Sequence, residues 1–527
     1  ATLVLDGKAI GYVFDQARPN VVNFNNTNID VLSDDVIISD LKNSAGPLVI
    51  DVENKSGNNS LKSRLLGGNV NVTSSNGKTD YKYALIDDAT VQIKSAIDKA
   101  NLISGSDSEV FTKRFLYQNS RLHIETEYGS INSSLNTAQI NAIDNKFLVP
   151  VGLAIAGSSR SINNSTTEIG NKGKVFVDRT DAGQGGVGFL ADYGWINNYN
   201  AGSLEVEYSS NKAVTVTPND KAVGMYGTNN TDLKNFGIIN VAATSPGNES
   251  IGMYGDDPKT KVYVLETENG TRIRNNSIIN VGRSSYGIFA RNIEMNGGTI
   301  NVGDDGVGIY SQGPDVNLIA GKINVANNNA VGIYIDDATV APKPTIVKGN
   351  VDMKVGTDSV GYLITASNTK TDIKTKASSD VHIGENSVYI YSRAPQNLGG
   401  KIETESKIVT DGNNSYGIYS SQDFINRGDI DLKSGTGNVG IYSSQGIGQN
   451  YGTIDVGPSD VTAGKYGIGM ATGSTAASMG TIENHGTINV TKNSSVGMYA
   501  SGSGSKAINR GTINLEGNDT IGMYIDN

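Results

Sequence analysis

The most regular feature of the chain is a four-residue pattern in which glycine follows an apolar residue and precedes an apolar and then an aromatic residue. Full copies begin at Val223, Ile251, Tyr286, Val307, Val331, Tyr416, Val439, Val496 and Ile521, and weaker copies begin at Val360, Val388 and Tyr466. From Gly224 to Gly522 the pattern takes 11 steps over 298 residues, or about 27 residues a step. A fixed period in this range predicts a solenoid in which each step is one coil.

A second pattern, G-x-I-[ND]-[VL], alternates with the first. It begins at Gly298, Gly321, Gly428, Gly452, Gly486 and Gly511. A third short apolar segment often precedes it, as in 424–427 and 507–510. Both patterns alternate apolar and polar residues with a period of two, which is typical of half-buried strands. Three short strands and three turns in each coil predict a parallel β-helix.

The physical chemistry of stacking agrees with this interpretation. One coil cannot bury its own inward face, but coils stacked about 4.8 Å apart share backbone hydrogen bonds and one continuous core. We expect Val, Ile, Leu and Met to point inward, and the recurrent tyrosines to stack on their copies in neighbouring coils. Asparagines are expected in left-handed turns, and glycines at close approaches or positive φ. The predicted fold is an all-β, right-handed parallel β-helix (β-solenoid) with lateral loop insertions.

The repeat is regular in one part of the chain and loose in the other. Residues 222–527 form regular coils of about 27 residues, whereas residues 1–221 form longer, irregular coils with insertions. The least repeat-like segment is 89–128, where the apolar spacing mixes periods. A short helical excursion and an irregular insertion are both open for this segment.

Composition and charge exclude some kinds of chemistry and disfavour some kinds of partner. The 527 residues include 64 glycines, three histidines and no cysteine, and the net charge is −10. Without cysteine the chain has neither disulfides nor thiolate chemistry. The acidic balance disfavours nucleic acid and anionic membranes as partners. No run of 18 apolar residues occurs, so no membrane-spanning helix is predicted.

Acidic doublets are the candidates for catalysis, because polysaccharide-degrading enzymes built on β-helices use clustered charged residues. The doublets are 34–35, 87–88, 256–257, 304–305 and 336–337. Acid–base catalysis on a sugar requires two carboxylates at a set separation, whereas adjacent residues of a strand point to opposite faces. The doublets also lie at predicted turns, where aspartate is favoured structurally. We therefore expect no enzyme, no catalytic residue, no cofactor and no metal site.

Aromatic residues around the only tryptophan are the first candidate for ligand binding. Trp195 lies between Tyr193 and Tyr199, and exposed aromatic rings stack on sugars and anchor protein partners. The alternative is structural, because aligning 195–197 with 424–426 and 507–509 places Trp195 at an ordinary position of the repeat.

Two basic insertions are the other candidates. The coil that starts at Gly252 lengthens to 35 residues and carries the basic residues Lys259, Lys261, Arg272 and Arg274. Such a loop suits an acidic partner, since function in solenoids tends to lie on projecting loops; a hairpin with a solvated polar tip is the structural alternative. An earlier insertion is basic and aromatic, with Lys113, Arg114 and Tyr117. Its alternative is a cap that packs on the side of the solenoid.

The repeat strands carry a family resemblance. Strands of the SxGIY type, such as 415–419, alternate with strands of the GTINV type, such as 486–490, in a cysteine-free chain rich in glycine and asparagine. In this combination the chain resembles the passenger domains of type V autotransporters and is similar to the very large fusobacterial outer-membrane adhesins. The resemblance covers nearly the whole chain and is best over 222–527. It implies export through an outer-membrane β-barrel at the C-terminus and display at the bacterial cell surface.

From the repeat and the resemblance together we expect a monomeric segment of a cell-surface adhesin, anchored to the outer membrane and extracellular. Its loops are expected to bind a host receptor protein, a host glycan or a partner bacterium. We also expect a fragment of a longer passenger, which contacts the membrane only through a C-terminal barrel outside this sequence. The alternatives are a pure spacer, favoured by the uniform coils of 222–527, and, more remotely, a polysaccharide-degrading enzyme.

Overall fold

The chain forms two compact units, Ala1–Asn280 and Val281–Asn527, in a computed structural model. The structure describes residues 222–526 apart from 248, 269–270, 273–276, 338–343, 377–378 and 474–478, and before residue 222 it describes strands only. The secondary structure of these described residues is β-strand, with a single turn of 3₁₀ helix at Gln396–Leu398.

The first unit contains short strands that return in threes. In sequence order they are Thr2–Leu5, Ile10–Phe14, Asn28–Val31, Ile37–Leu41, Ser63–Gly67, Ala84–Asp87, Leu122–Thr126, Gly129–Ser133, Val151–Ala156, Glu168–Asn171, Lys174–Val177, Val187–Asp192, Trp195–Asn198, Ser203–Val206, Val223–Thr228, Asp232–Asn235, Ile238–Val241, Ile251–Gly255, Lys261–Leu265, Thr267–Glu268, Thr271–Arg272 and Ile278–Val281. From Val187 onward each strand of a coil pairs in parallel with its counterpart in the next coil, so that Val187 lies opposite Val223 and Val223 opposite Ile251. Three strands therefore make one coil. The hairpin formed by Thr267–Glu268 and Thr271–Arg272 is inserted between Lys261–Leu265 and Ile278–Val281, and its two strands pair with each other.

The segment 89–128 lies in this unit. Its residues 89–121 and 127–128 are outside the described residues. The following strand, Leu122–Thr126, pairs antiparallel with Gly129–Ser133.

The second unit repeats the same coil; its first two coils each run as one long strand, and the later coils have three separate strands. Its strands are Tyr286–Val302, Val307–Val325, Val331–Ile335, Thr345–Gly349, Asp352–Val355, Val360–Ile364, Thr371–Thr375, Asp380–Ile383, Val388–Ser392, Lys401–Thr404, Lys407–Thr410, Tyr416–Ser420, Asp423–Asn426, Ile430–Asp431, Val439–Ser443, Ile447–Asn450, Thr453–Val456, Ile468–Gly473, Thr481–Asn484, Thr487–Val490, Val496–Ser501, Lys506–Asn509, Thr512–Leu515 and Ile521–Asp526. Parallel ladders join each strand to its counterpart one coil later. The predicted parallel β-helix is confirmed.

We call the strand with the Gly-aromatic pattern the first strand of a coil, and the next two the second and third strands. Burial, rather than a strict alternation, distinguishes the two faces of the first strand. In Tyr416–Ser420 the residues Gly417 and Ile418 are buried, whereas Tyr416 and Tyr419 are half-buried on the outer face. The isoleucines and methionines at the position of Ile418 are fully buried in neighbouring coils. The predicted tyrosine ladder therefore exists, and it lies on the outside of the solenoid.

The glycine of the first-strand pattern is required for steric reasons, and the serine before the strand is required for a hydrogen bond. A Cβ on Gly440 would lie 2.6 Å from the carbonyl oxygen of Gly469 in the next coil, so only glycine fits this position without a shift. Asn414, just before the strand, has φ 55°. The next residue, Ser415, is buried, and its hydroxyl donates to the carbonyl oxygen of Gly384 one coil earlier at 2.5 Å. The SxGIY pattern is thus a turn and a strand in one.

A polar column runs inside the solenoid at the end of the second strands, where asparagine replaces an apolar inward residue. Asn426 Nδ2 donates to Asn450 Oδ1 at 2.8 Å, and Asn450 Nδ2 donates to Asn484 Oδ1 at 2.9 Å. Asn484 Nδ2 in turn donates to Asn509 Oδ1 at 2.9 Å. Asn450 and Asn484 each accept from one ladder neighbour and donate to the other, so these two buried carboxamides are not left unpaired. We call this column the asparagine ladder.

Candidate binding face

Three second strands of the first unit lie side by side and hold several of the predicted site residues. Trp195–Asn198 pairs in parallel with Asp232–Asn235, which pairs in parallel with Lys261–Leu265. Ile196, Leu233 and Val262 occupy one column and are fully buried. Since neighbouring residues of a strand point to opposite faces, the residues on either side of this column point outward.

Two outward columns result from this register. The first contains Trp195, Asp232 and Lys261, and the second contains Asn197, Lys234 and Tyr263. We call these six residues the aromatic–basic face. Trp195, Lys234 and Tyr263 are half-buried and Lys261 is exposed, whereas Asn197 and Asp232 are buried. A flat strip of parallel sheet therefore presents two aromatic rings and two ammonium groups to solvent.

Lys234 is held between the two aromatic rings. Its Nζ atom lies 4.2 Å from the centroid of the Trp195 ring and 5.8 Å from that of Tyr263. An ammonium group over an aromatic face is stabilised by about 0.5–1 kcal/mol at an exposed site, and by more when it is desolvated. The contact restrains a side chain that is otherwise flexible. It also keeps a positive charge at the surface of a chain whose net charge is −10.

Trp195 occupies an ordinary second-strand position, but the alignment that predicted this is wrong by one residue. The strands Trp195–Asn198 and Asp423–Asn426 have the same burial pattern and both end at a buried asparagine. Trp195 therefore corresponds to Asp423, and the inward Phe424 corresponds to Ile196. A slip of one residue turns a side chain to the opposite face, so Trp195 points outward.

The basic insertion divides into a regular part and a projecting part. Lys261 begins a regular second strand, and Lys259 is exposed in the turn just before it. The insertion proper is an antiparallel hairpin in which Thr267 pairs with Arg272 and Glu268 with Thr271. The structure thus brings Lys261 onto the same sheet face as Trp195. The remaining predicted residues lie outside the described residues; they are Tyr193, Tyr199, Arg274, Lys113, Arg114 and Tyr117.

Sequence reasoning missed Lys234, Tyr263 and Asp232. They become neighbours of Trp195 only through the register between coils. Asn198 and Asn235 carry the signal that sets this register, because Asn198 Nδ2 donates to Asn235 Oδ1 at 2.8 Å across the two coils. Superposing the second strands on their terminal asparagines would have placed Lys234 and Trp195 on one face.

The acidic doublet nearest to this face is used within the fold. A hydrogen bond to Asp256, together with burial, raises the pKa of Tyr226 far above its usual value, burial being the larger cause. Asp257 accepts the backbone N–H of Lys259 at 2.8 Å and the hydroxyl of Thr260. These carboxylates therefore stabilise the turn that leads into Lys261–Leu265.

The doublet 336–337 of the second unit has the same arrangement. Tyr310 donates its hydroxyl to Asp336 Oδ2 at 2.7 Å. Asp337 accepts the backbone N–H groups of Ser367, Asn368 and Thr369 at 2.8–2.9 Å. Burial alone would raise the pKa of Asp337, but these hydrogen bonds outweigh it and hold the pKa below its usual value. Both doublets thus serve turns.

Two absences concern the described residues alone. Among them no three His, Cys, Asp or Glu side chains converge on a point where a metal ion fits. In the same part of the chain no helix is long and apolar enough to cross a membrane.

Comparison with known proteins gives one match. Residues 433–527, a small part of the chain, match the family described as the BigA third pectate lyase-like domain. No curated protein and no solved structure shows significant similarity to the chain. The matched description is of a β-helical domain, in agreement with the fold of the second unit. The match supports a bacterial surface protein of the adhesin type.

Proposed function

We propose that the chain is a passenger segment of an autotransporter adhesin, anchored in the outer membrane, and that its aromatic–basic face binds an acidic glycan on a host or partner cell. The observation that carries this proposal is the placement of Lys234 between Trp195 and Tyr263 on a rigid outward sheet. Lys261 lies in register beside them as a second ammonium group.

The chemistry of the face suits an acidic sugar. Aromatic rings pack against the C–H faces of pyranose rings, and half-exposed Trp and Tyr provide this contact at a low entropic cost. An ammonium group restrained beside the rings pairs with a carboxylate or sulfate in a charge-assisted hydrogen bond. Two lysines for one aspartate on the face give it a local positive charge, although the chain as a whole is acidic.

Binding without catalysis is part of the proposal. Carboxylates of the doublets 256–257 and 336–337 are engaged by backbone N–H groups, hydroxyls and a tyrosine. Such carboxylates are not placed to flank a glycosidic bond. The coils of the second unit would then act as a stiff stalk, since stacked coils share one continuous core.

The test is binding of the full chain to an array of neutral, carboxylated and sulfated glycans. The chain has a single tryptophan, so quenching of its fluorescence reports binding at the proposed face directly. The variants are Trp195→Ala, Lys234→Gln and Tyr263→Ala. Tyr451→Ala is the matched control, because Tyr451 is an exposed aromatic residue of the second unit, 42% accessible.

The proposal expects acidic glycans to bind, and Trp195→Ala and Lys234→Gln to weaken them roughly 10- to 30-fold, equivalent to about 1.4–2 kcal/mol. Added salt should weaken binding of the wild type more than that of Lys234→Gln. Equal binding by all the variants would show that the ligand binds elsewhere than at the aromatic–basic face. Binding of a folded receptor protein, with no binding of any glycan, would mean that the ligand is a protein. Binding of neither would favour the spacer function.

A further inference from the structure

The tyrosine ladder on the outer face of the second unit occupies one column of positions, interrupted by Leu363 and Ala471. Its members lie opposite one another in successive first strands. In order they are Phe289, Tyr310, Tyr334, Leu363, Tyr391, Tyr419, Tyr442, Ala471, Tyr499 and Tyr524. The parallel register thus holds phenol rings of consecutive coils next to each other without any contribution from loops.

Neighbouring rings in this column do not all meet in the same way. Tyr310 with Tyr334, and Tyr391 with Tyr419, are edge-on, at interplanar angles of 77° and 85°. Tyr419 and Tyr442 are instead stacked, with ring centroids 4.6 Å apart and an interplanar angle of 19°. The two phenol rings therefore lie face to face and close together in consecutive coils.

We propose that Tyr419 and Tyr442 are an oxidative modification site, at which a peroxidase and hydrogen peroxide join the two rings into a dityrosine. Each phenol gives one electron and one proton to the oxidant and becomes a phenoxyl radical. The two radicals form a carbon–carbon bond between positions ortho to the hydroxyls, and the two ring hydrogens then move to the oxygens. One hydrogen peroxide accepts the two electrons and two protons and leaves as two water molecules.

Access and protonation are compatible with this chemistry. Both tyrosines are half-buried, so part of each remains accessible to solvent. Burial raises the pKa of Tyr419 and of Tyr442. Both are therefore neutral phenols at neutral pH, and the proton leaves together with the electron. The sheet holds the rings in place, so the coupling step does not require two mobile side chains to meet.

Other pairs in the column serve as internal comparisons. Phe289 and Tyr310 stack at 4.4 Å and 22°, but phenylalanine has no hydroxyl to oxidise. Tyr391 is edge-on to Tyr419, and its hydroxyl accepts a hydrogen bond from Arg393 Nε at 2.7 Å. Tyr499 and Tyr524 are parallel but more widely spaced, at 5.7 Å. The geometry therefore ranks Tyr419–Tyr442 first.

A covalent link at this position has a structural consequence. The chain contains no cysteine, so no disulfide joins its coils. A dityrosine between Tyr419 and Tyr442 would connect two consecutive coils through their side chains and oppose their separation. An oxidising surface would then strengthen the solenoid at the place where its coils meet.

The experiment treats the full chain with a haem peroxidase and hydrogen peroxide and maps tryptic peptides. Cleavage separates Tyr419, in 408–427, from Tyr442, in 434–465. The expected product joins these two peptides with the loss of two hydrogen atoms, and shows dityrosine fluorescence. Fragment spectra distinguish Tyr419 and Tyr442 from Tyr416 and Tyr451, which the same peptides carry.

Tyr442→Phe keeps the ring and the packing but removes the hydroxyl, so it should abolish the joined peptide. Tyr391→Phe is the matched control in the same column and should leave it unchanged. Joined peptides that persist in Tyr442→Phe, or cross-links that form only between molecules, would overturn the assignment. Absence of any joined peptide from the folded wild type after oxidation would overturn it too.

Discussion

Asparagine 450 offers a direct measure of what the asparagine ladder contributes to stability. Its side chain is fully buried. It accepts from Asn426 Nδ2 at 2.8 Å and donates to Asn484 Oδ1 at 2.9 Å and to the carbonyl oxygen of Gly452 at 3.0 Å. Asn450→Ala removes these three hydrogen bonds and takes the ladder donor away from Asn484 Oδ1.

The magnitude follows from burial. A net hydrogen bond in a protein contributes about 0.5–1.5 kcal/mol, and a buried group left unpaired costs about 1–3 kcal/mol. Three lost bonds therefore destabilise the coil by about 2–4 kcal/mol. Since stability in a solenoid is a sum of coil and neighbour terms, the effect is local. Amides of the coils around Asn450 should exchange roughly 30- to 1,000-fold faster, because about 1.4 kcal/mol is tenfold.

The assay is hydrogen exchange of the full chain followed by mass spectrometry, with Asn489→Ala as the matched control. Asn489 lies on the outer face of a third strand and also makes two carboxamide bonds, to Asp455 at 2.7 Å and from Asn514 at 2.8 Å. Water replaces those bonds, so the control should cost less than about 1 kcal/mol. Equal effects of the two substitutions would refute the argument from burial.

Three further predictions concern the core, the glycine pattern and acid. Ile300 is fully buried, so Ile300→Asp should destabilise its coil by several kcal/mol, seen as lost exchange protection in 286–325; wild-type protection would mean that the inward face is misassigned. Gly440→Ala forces a Cβ to 2.6 Å from Gly469 O, whereas the Cβ of Gly473→Ala meets its nearest atom, the end of the Tyr442 side chain, at 3.3 Å. In urea unfolding, Gly440→Ala should lower the free energy of unfolding by about 1–3 kcal/mol, and Gly473→Ala should lower it clearly less. The folded-state pKa of Asp337 lies below the ordinary 3.8, so the contribution of its carboxylate to stability is complete above that value and is lost as the pH falls through the folded pKa. Hydrogen-exchange protection at 367–369, corrected for intrinsic rates, should fall over the same pH range. Asp337→Asn should remove this pH dependence.

Much of the fold is predictable from the sequence because each coil of a solenoid appears in the sequence as one copy of a repeat. The glycine in the first-strand pattern is required by the carbonyl of the next coil, as at Gly440. The tyrosine two residues later stacks on its own copy, as Tyr419 does on Tyr442. Each coil repeats the same constraint on its neighbours, so the pattern survives in the sequence and predicts strands, faces and stacking together.

Two features were not predictable by the same reasoning. An inward asparagine contradicts the rule that inward positions are apolar, and only the partner in the next coil shows that Asn450 is satisfied. The alignment of Trp195 with Phe424 relied on similar neighbours and was one residue out, which reversed its face. In a structure with a side-chain period of two, residue similarity cannot choose between adjacent registers, whereas a buried hydrogen bond between coils can.

Inward and outward positions of a β-helix are under different constraints, and this decides where binding residues are to be sought. An inward residue must fit the coils on both sides, so the column of Ile196, Leu233 and Val262 stays apolar. The outward column beside it is free to change, and at the corresponding position of later coils it holds Ile447, Thr481 and Lys506. The inward core therefore does not fix the identities of Trp195, Lys234 and Tyr263, which contact one another on the outer face. If the proposed glycan binding holds, these aromatic and basic residues meet their ligand outside the solenoid, and a strand of the coil then carries the function that a projecting loop was expected to carry.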